Sequence, residues 1–564
     1  MKTQYFLLLA KKLKDLEWDK FYAVCEQNPA SLSLLVRAKC YYDLKFFSKF
    51  FFTDEQNGVK VGHCKDPFNK MHLDFFKDFD PEERGIETVI LAARGSAKTT
   101  LVCLIYALHK ICYSTEKYIL LLSSTLPRTR EKTRDIHSEV THNDLLKRIF
   151  FLTFEGNRQA SKESFVINSR YGECYVHGQS FNSQIRGAKY KNSRITLALL
   201  DDVVHGEEVF SEEQRIKALR QFNTDLKLSS QPGTNFIYIG TRIHNEDLGS
   251  ELARRPTWKS REYPAFERWP DNMKLWNEWE DIYRNPSYIK EVAEAKAHKF
   301  YLKNKKEMIK GAKVLWPERE NVYDLMKERL DIGPRAFDAE KQMIPFLSGE
   351  SLFQNISYFQ WDTRDGMEGF FIPKFNKFIP YDSGRFTKYY ALDPATGERK
   401  KATQKKTLSK SARIIAAKDE KTGFVYVIDC WMDRKPPSKI IYEMYDLHHH
   451  HDFYKMGFEE NLFKELFGDY IKIMKEKWRD DHKIKLELPT IPVWNSIKKE
   501  QRIYGIEPKV SSGKILINKH IAPDFLAQLK TYPNSDHNDG LDALEILMQV
   551  IERKNEFQFH SVGT

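Results

Sequence analysis

The feature that most constrains the fold is an alternation of short apolar runs and helical stretches between residues 88 and 241. Strands are predicted over 88–94, 118–124, 195–204 and 235–241, and helices over 98–112, 126–147 and 211–229. Short apolar strands that alternate with helices indicate βαβ units and a parallel sheet buried on both faces. The sequence therefore predicts an α/β domain in this part of the chain.

A second α/β pattern begins near residue 386, after a segment without a clear period. KYYALDPA, SARIIAAK and FVYVIDCW predict three strands of an antiparallel meander, because the connections between them are short. A helix (SKIIYEMYDLHHH), a fourth strand (KMGFEE) and a closing helix (NDGLDALEILMQVIERK) follow. We predict a helical lead-in over 1–60, a first α/β domain over 61–345 with a helical subdomain from about 260 to 345, an irregular linker over 346–385, and a second α/β domain over 386–564.

Composition excludes several classes of protein. The 564 residues are 41% hydrophobic, too apolar for a disordered chain, yet no run of 18 apolar residues predicts a transmembrane helix. The apolar run at the N-terminus is too short for a signal peptide. Seven scattered cysteines without a CxxC pair exclude a disulfide scaffold and a cysteine-based zinc site, and they fit a reducing cytosol. The net charge of +11 fits a polyanionic partner or an ordinary basic surface.

The predicted strand over 88–94 leads into a candidate phosphate-binding loop. A phosphate loop needs small residues, so that backbone N–H groups point at phosphate oxygens, and then a lysine and a hydroxyl at a helix N-terminus. Gly95, Ser96 and Ala97 supply the small turn, Lys98 the charge and Thr99 the hydroxyl. Alanine replaces both glycines of the G-x-x-x-x-G-K-[ST] pattern, so an ordinary strand–helix turn remains the alternative.

A strand that ends in acids supports the phosphate loop. ITLALLDDVV follows about 100 residues later, with Asp201 available for a metal ion and Asp202 for activating water. The strand over 118–124 leaves room for a sheet in which the loop strand and the acidic strand are not sequence neighbours. That arrangement is typical of translocating and helicase-like ATPases, although acids after a strand also serve as ordinary helix caps.

Carboxylates in the second domain form a candidate metal site. Two-metal cleavage of a phosphodiester needs several carboxylates that converge from separate elements. Asp393 lies in an aromatic and aliphatic strand, Glu459 (or Glu460) ends the fourth strand, and Asp539 and Asp542 share one face of the closing helix. This order of strands, helices and acids is the ribonuclease H pattern. Asp429 ends a neighbouring strand and is expected outside the metal site.

ARGSAKTT, QIRGAKYKNSRITLALLDDV and YIGTRIHNEDL, in this order, resemble the large terminase subunit of tailed bacteriophages. The resemblance implies a P-loop ATPase of the ASCE type, with Arg94 on the phosphates and Arg186 as a phosphate sensor or arginine finger. It also implies that Thr241, in the coupling motif, links the γ-phosphate to movement. The sequence departs from the family pattern at Ala97, where glycine is usual, and at Asp202, where glutamate is usual.

The acids of the second domain resemble the ribonuclease H-like nuclease of the same family, with the pattern D…E-x-N…H-D-D-x-x-D-A. Asn461 and His537 match, and Asn538 replaces the first aspartate of the doublet. The resemblance therefore implies Asp539 as the third metal ligand beside Asp393 and Glu459, with Asp542 as second choice.

The resemblance implies a viral DNA-packaging motor that moves double-stranded DNA into the procapsid and cuts concatemeric DNA. The implied cofactors are ATP with Mg²⁺ at the ATPase site and two Mg²⁺ or Mn²⁺ ions at the nuclease site. The implied partners are DNA, the portal protein, the small terminase subunit, the procapsid and further copies of the chain in a pentamer. The implied location is the host cytoplasm, transiently at the procapsid portal and not in the mature virion. A helicase–nuclease of DNA repair or defence is the alternative, and a DNA-binding scaffold with degenerate sites is a third.

Two basic runs are candidate DNA contacts. Residues 399–413 carry seven positive charges and no acid directly after the Asp393 strand, and residues 299–313 form a second run. Solvated surface remains the alternative for both. His448 to His451 invite a metal interpretation, but positive or polar groups at a helix C-terminus are ordinary, and we expect no metal there.

Overall fold

The computed structural model describes residues 4–56, 59–155, 163–204, 209, 211–345, 350–382, 384–395, 410–494, 499–535 and 537–553. The chain forms two compact units. The first comprises Met1–Pro270, Gly311–Met326 and Ala336–Ser348, and the second comprises Asp271–Lys310, Lys327–Arg335 and Gly349–Thr564. No helix in the described part of the chain is long and apolar enough to cross a membrane.

The first unit begins with four helices and a small hairpin. These are α1 (Gln4–Leu13), α2 (Trp18–Gln27), α3 (Leu32–Tyr42), α4 (Leu44–Phe52), β1 (Asp54–Gln56) and β2 (Val59–Val61), with a 3₁₀ turn over Pro29–Ser31 between α2 and α3. The middle of α3 is buried, and the Lys39 ammonium in it donates to the Lys14 and Leu16 carbonyls, each at 2.8 Å. The helical stretch predicted for residues 1–60 thus ends at Phe52.

An eight-stranded sheet forms the centre of the first unit. Its strands are β3 (Glu87–Ala92), β4 (Tyr118–Ser123), β5 (Thr153–Phe154), β6 (Ser164–Ser169), β7 (Gly172–Ser180), β8 (Leu197–Asp201), β9 (Asn235–Gly240) and β10 (Lys259–Tyr263). Their order is β10-β3-β9-β8-β4-β7-β6-β5, parallel from β10 to β7 and antiparallel at β6 and β5. Every residue of β4, β8 and β9 is buried, which confirms the predicted sheet covered on both faces.

The strand order brings three functional loops to one edge. The phosphate-loop strand β3 and the acidic strand β8 are separated in the sheet by β9, whereas β4, which lies between them in the sequence, is on the far side of β8. Because parallel strands end at the same edge, the residues after β3, β8 and β9 lie together there.

Helices and a short strand pair complete the first unit. They are α5 (Lys70–Asp78), a π-helix over Thr100–Tyr106 that continues as α6 (Ala107–Cys112), α7 (Leu126–His142), α8 (Asp144–Phe150), α9 (Glu212–Arg220) with a π-helix over Gln221–Lys227, α10 (Leu248–Ala253), β11 (Phe266–Arg268) and β12 (Lys313–Val314). The helical subdomain predicted from about 260 to 345 is divided. Helices α11 (Met273–Tyr283) and α12 (Lys290–Met308) belong to the second unit, whereas α13 (Val322–Ile332) and α14 (Pro334–Gln342) have residues in both.

A nine-stranded sheet forms the centre of the second unit. Its strands are β13 (Ser357–Arg364), β14 (Met367–Ile372), β15 (Lys377–Pro380), β16 (Phe386–Asp393), β17 (Ser411–Asp419), β18 (Val425–Asp433), β19 (Lys455–Glu459), β20 (Thr490–Val493) and β21 (Ile515–Asn518). Their order is β15-β14-β13-β21-β18-β17-β16-β19-β20. Strands β16, β17 and β18 form the predicted antiparallel meander, and β19 and β20 run parallel to β16. This is the ribonuclease H-like arrangement that the sequence predicts.

The prediction of an irregular linker over 346–385 is wrong. The segment contains β13, β14 and β15, which pair in antiparallel register and extend the sheet through β21, with a 3₁₀ turn over Pro373–Phe375 between β14 and β15. The turn between β13 and β14 is made by Asp365 and Gly366, both with positive φ, the backbone that a tight two-residue hairpin requires. Closely spaced aromatic residues mask the period of two in these strands.

Helices flank the second sheet. Besides α11 and α12 they are α15 (Pro437–His451), α16 (Glu460–His482), α17 (Lys499–Tyr504), α18 (Glu507–Ser511), α19 (Pro523–Thr531) and α20 (Asp539–Glu552). Helix α20 packs on β16, β17 and β19. It approaches β19 at Gly457, where an added Cβ atom would clash with Val550 Cγ2, so this contact requires glycine. The close packing fixes the first turn of α20 beside the end of β16.

Candidate functional site

The phosphate loop makes a tight turn between β3 and the following helix. Gly95 has φ 90° and Ala97 has φ 61°, so Ala97 adopts the left-handed backbone conformation that favours glycine. Lys98 is 6% exposed, and its ammonium donates to the Ala92 carbonyl at 3.2 Å. The loop therefore has the curled shape of a phosphate loop with its lysine held inside, although both glycines of the pattern are replaced.

Thr99 and Asp201 meet at the edge of the sheet. The Thr99 hydroxyl lies 3.1 and 3.0 Å from the two carboxylate oxygens of Asp201, which is 4% exposed at the end of β8. Burial, followed by repulsion from Asp202, raises the pKa of the Asp201 carboxyl. A hydroxyl and a carboxylate are the hard oxygen ligands that Mg²⁺ prefers, so these two residues fit the predicted ion.

Asp202 and Thr241 are joined directly. The Thr241 backbone N–H donates to Asp202 Oδ1 at 3.3 Å, and the Asp202 N–H donates to the Ile239 carbonyl at 3.1 Å. Asp202 itself has φ 44°, a left-handed conformation that turns it away from the path of β8. The predicted water-activating residue and the predicted coupling residue are thus one hydrogen bond apart.

Arg94 faces a glutamate that the sequence did not indicate. The Arg94 backbone N–H donates to the Glu340 carbonyl at 2.9 Å, and its guanidinium lies 3.8 Å from Glu340 Oε1. Burial raises the pKa of the Glu340 carboxyl, and Arg94 opposes this shift. Glu340 follows the phosphate loop by more than 200 residues in the sequence, so no local spacing could have revealed the contact.

Lys132, from α7, is a second residue that sequence reasoning missed. Its ammonium lies 2.9 Å from Asp201 Oδ2, and its side chain is 12% exposed. Burial lowers the pKa of Lys132, but the attraction and hydrogen bond of Asp201, together with Cys103 and Asp202, outweigh burial, so the net pKa is raised. The only available signal was that Arg128 and Lys132 share one face of a predicted helix, which is common on solvated helices.

These side chains line one cavity of about 220 Å³. Its lining includes Arg94, Thr99, Lys132, Asp201, Asp202, Thr241 and Glu340. Arg186 is not part of that lining. Its side chain is 65% exposed, and its Nε–H donates to Asp225 Oδ1 at 2.7 Å.

The segment before α5 is hydrogen-bonded to the phosphate loop. Asn69 Nδ2 donates to the Ser96 carbonyl at 3.2 Å, and Asn69 and His72 form a reciprocal cap on α5. His72 is 4% exposed, and burial lowers its pKa to about 4. The cap therefore depends on a neutral imidazole.

In the second unit, three carboxylates converge. Asp393 ends β16, and Asp539 and Asp542 lie in the first turn of α20, with a ligand atom of each within 4.8 Å of the other two. Among the described residues this is the only such group of three or more potential metal ligands. Burial, followed by repulsion from Asp542, raises the pKa of Asp393 well above its usual value. Asp539 and its predicted alternative Asp542 both belong to this group, so the geometry supports both as metal ligands.

Glu459 lies beside this group. Leu392 of β16 pairs with Phe458 of β19 in parallel register, so Asp393 and Glu459 are the next residues of adjacent strands. Glu459 also contributes to the raised pKa of Asp393. The side chains of Glu460 and Asn461 lie outside the described residues.

Lys499 is the third residue that sequence reasoning missed. Its ammonium forms an ion pair with Asp542, and burial raises the pKa of Asp542 to about 6 in spite of that pair. One turn further along α20, Glu545 pairs with Arg502 in the same way. A lysine in the basic segment NSIKKEQR carries no local signal, because only α17 and the packing of α20 bring Lys499 to the carboxylates.

Asp429 and His448 are not members of the carboxylate group. Asp429 pairs with Arg413 at 3.2 Å, consistent with its expected place outside the metal site. His448 accepts from the Phe453 N–H at 3.1 Å at the end of α15, which is a capping arrangement. Residues 399–409 of the first basic run lie outside the described residues. After them, the Lys410 N–H donates to Asp539 Oδ2 at 3.2 Å.

No protein-family model matches the sequence, and no curated protein matches it. Solved structures do resemble it. The large terminase of a thermophilic bacteriophage is 9% identical with a TM-score of 0.46, covering 86% of this chain and 99% of that chain. The HK97 bacteriophage large terminase is 14% identical with a TM-score of 0.29, covering 90% and 99%. The human cytomegalovirus terminase nuclease domain is 11% identical with a TM-score of 0.23, covering 30% and 86%.

Proposed function

We propose that the chain is an ATPase and a metal-dependent DNA endonuclease that acts as the large subunit of a viral DNA-packaging motor. The observation that carries the proposal is the pair of sites in one chain, a phosphate loop beside Thr99 and Asp201, and a carboxylate group at Asp393, Asp539 and Asp542. The terminase-like order of the motifs supports the packaging role. In that role the chain works as a homo-oligomer on the portal, with the small terminase subunit, in the host cytoplasm.

In the ATPase site, the backbone of the phosphate loop and Lys98 bind the β- and γ-phosphates, and Arg94 contacts them from the mouth of the loop. Thr99 and Asp201 hold magnesium, which when bound neutralises charge on the phosphates. Asp202 orients the attacking water. The hydrogen bond from Thr241 to Asp202 supports a role for the β9 loop in sensing the nucleotide, because a shift of Asp202 must move or break that bond.

In the nuclease site, Asp393, Glu459, Asp539 and Asp542 would hold divalent ions, which would supply Lewis-acid chemistry for the hydrolysis of a phosphodiester. Four carboxylates carry more negative charge than Lys499 offsets, and the raised pKa values of Asp393 and Asp542 reflect that excess together with burial. Buried carboxylates that repel one another favour the binding of cations.

The decisive experiment uses two full-length variants. Lys98→Ala is expected to abolish ATP hydrolysis and to leave metal-dependent plasmid nicking intact, and Asp393→Asn is expected to do the reverse. Phosphate release and supercoiled plasmid conversion measure the two activities on the same preparations. ATP hydrolysis that persists in Lys98→Ala would contradict the nucleotide site, and nicking that persists in Asp393→Asn would contradict the metal site.

A strand-displacement assay separates the packaging motor from a helicase–nuclease. A motor that moves along intact duplex should hydrolyse ATP faster with double-stranded DNA and release no labelled strand. Release of the strand in the wild type, lost in Lys98→Ala, would replace the packaging role with unwinding.

A further inference from the structure

The inference concerns the ammonium of Lys132 in the magnesium half of the ATPase site. We propose that Lys132 is a resident counter-cation, which holds Asp201 while the site is without a divalent ion and releases it when magnesium and nucleotide bind. The proposal rests on the proposed function, since it presupposes a nucleotide site at Lys98. In this role, Lys132 sets how much the magnesium ion strengthens nucleotide binding.

The geometry places the ammonium where it competes with a metal ion. Lys132 Nζ lies 2.9 Å from Asp201 Oδ2, and the Thr99 hydroxyl lies 3.0 Å from the same oxygen. A magnesium ion binds its oxygen ligands at about 2.0–2.1 Å. An ion shared by Thr99 and Asp201 would therefore stand within a few ångströms of the ammonium, and the two cations repel each other at that separation.

Burial explains why the Asp201 carboxylate needs a cation beside it. Asp201 is 4% exposed and is followed directly in the chain by Asp202, so its charge is neither solvated nor free of repulsion. Thr99 offers only a neutral hydroxyl. An uncompensated buried carboxylate is costly, and a paired one much less so.

Other partners are within the same cavity for the Lys132 side chain when it releases Asp201. Lys132 lines the cavity together with Arg94 and Glu131, and a lysine stem is flexible enough to turn toward bound phosphates or toward Glu131. Lys132 is thus a positioning residue that acts through Asp201.

A purely structural ion pair would stabilise the protein without changing the effect of magnesium on nucleotide binding. The two roles are separated by the dissociation constant of a fluorescent ADP analogue, measured once with magnesium and once with EDTA. The ratio of the two constants reports the contribution of the ion and needs no turnover. Lys132→Gln is the informative variant, because its amide still donates to Asp201 and preserves the fold while the charge is lost.

In Lys132→Gln we expect the magnesium ion to strengthen ADP binding by at least about tenfold more than in the wild type, because a repelling charge has been removed. Lys132→Arg keeps the charge and should keep the wild-type ratio. Arg130→Gln is the matched control on α7, since Arg130 pairs with Glu163 and does not line the cavity. It should also keep the wild-type ratio.

Thermal unfolding gives an independent measurement. Without nucleotide and in EDTA, Lys132→Gln should melt below the wild type, and magnesium with ADP should close the gap. An unchanged ratio in Lys132→Gln, or the same change in Lys132→Arg, would overturn the role of Lys132 while leaving the nucleotide site in place. Failure of the wild type to bind ADP at all would overturn the proposed function instead.

Discussion

At the scale of single residues, Ala97 is the point where this chain differs most from a typical phosphate loop. Its φ of 61° costs an alanine about 1–2 kcal/mol, and glycine adopts the same conformation freely. We therefore expect Ala97→Gly to raise the free energy of unfolding by about 1 kcal/mol, less the entropy that glycine gains in the unfolded chain. Urea unfolding followed by circular dichroism measures the change.

The matched control is Ala93→Gly at the start of the same loop. Ala93 is buried, has no positive φ, and donates its N–H to the Tyr263 carbonyl at 3.0 Å. Glycine relieves no backbone strain at this position, so the free energy of unfolding of Ala93→Gly should be about 0.5–1 kcal/mol lower than that of the wild type. Equal destabilisation by both substitutions would show that the backbone at Ala97 is not strained.

A second prediction at this scale follows from His72, whose pKa is lowered to about 4 by burial. Between pH 6.5 and 4 the unfolded chain binds a proton at this imidazole and the folded chain does not. As the pH falls through that window, the free energy of unfolding should therefore decrease by about 1.4 kcal/mol per pH unit. His72→Gln should reduce this dependence on pH.

His63 is a control with the opposite sign. Its hydrogen bond with Glu139, at 3.3 Å, raises its pKa, so it stabilises the fold at low pH and loses that effect as the pH rises. Below pH 6.5 the folded and the unfolded chain both hold this proton, so His63→Gln should remove a gain of stability that occurs as the pH falls toward 6.5 from above. The effect should be smaller than that of His72, because nearly half of the His63 side chain is exposed. Denaturant unfolding at a series of pH values measures both slopes, and slopes that change in the same direction would contradict the assignment.

Residue identities were predictable where function imposes a local pattern. Lys98, Thr99, Asp201 and Asp202 follow strand ends in spacings that a phosphate site requires, and the structure places all but the Lys98 side chain in the lining of one cavity. Lys132, Glu340 and Lys499 were not predictable. Each comes from an element far along the chain or from a helix face that looks solvated, and only tertiary packing brings its charge to a carboxylate or to Arg94.

At the scale of secondary-structure elements, the short apolar strands of both sheets were found, whereas the aromatic strands β13 and β14 were missed. Hydrophobic runs such as β8 and β16 are short, apolar and bounded by polar residues. Strands β13 and β14 have closely spaced aromatic residues on both faces, so their period of two is hidden. The Asp365–Gly366 dipeptide was the available signal for this hairpin.

The contact between α20 and β19 gives a prediction at the same scale. Gly457→Ala would drive a methyl group into Val550 Cγ2, and a buried β-branched side chain has little room to move. Helix α20 must shift, and it carries Asp539 and Asp542. We expect a loss of about 1–3 kcal/mol in stability, and at least about a hundredfold loss in plasmid nicking from misplaced ligands.

Shortening the facing side chain is the control for this variant. Val550→Ala in the Gly457→Ala background should restore most of the nicking activity, because the added methyl group then occupies the space that Val550 vacates. ATP hydrolysis should stay at the wild-type rate in both the single and the double variant. Nicking that remains low in the double variant would show that Gly457 acts otherwise than through the position of α20.

At the scale of the whole molecule, two sheets of different topology present their sites in the same way. Asp201 and Asp393 each end a buried strand, and each receives its partners from neighbouring strand or helix ends. This regularity explains why both sites were predictable from strand ends. The assignment of α11 and α12 to the second unit was not predictable. The amphipathic pattern of α11 indicates burial without indicating the surface that covers it, and α12 has hardly any amphipathic pattern.

The distribution of basic residues gives the last prediction, which concerns how the whole chain holds DNA. Five basic residues of the run after the Asp393 strand can be changed to glutamine together: Arg399, Lys400, Lys401, Lys405 and Lys406. The matched control changes five lysines of the second run: Lys299, Lys303, Lys305, Lys306 and Lys310. Both variants lose the same formal charge, so a general effect of net charge is equal in the two.

If the first run contacts phosphates beside the metal site, its variant alone should bind duplex DNA more weakly and release fewer counterions. The slope of log Kd against log salt concentration should then fall by about 0.9 for each lost phosphate contact. Fluorescence anisotropy of a labelled duplex over a salt series measures both slopes. A smaller slope in the second variant alone would place the DNA contact at the second run instead. Equal slopes in both variants would show that the net charge of +11 attracts DNA without a localised contact at either run.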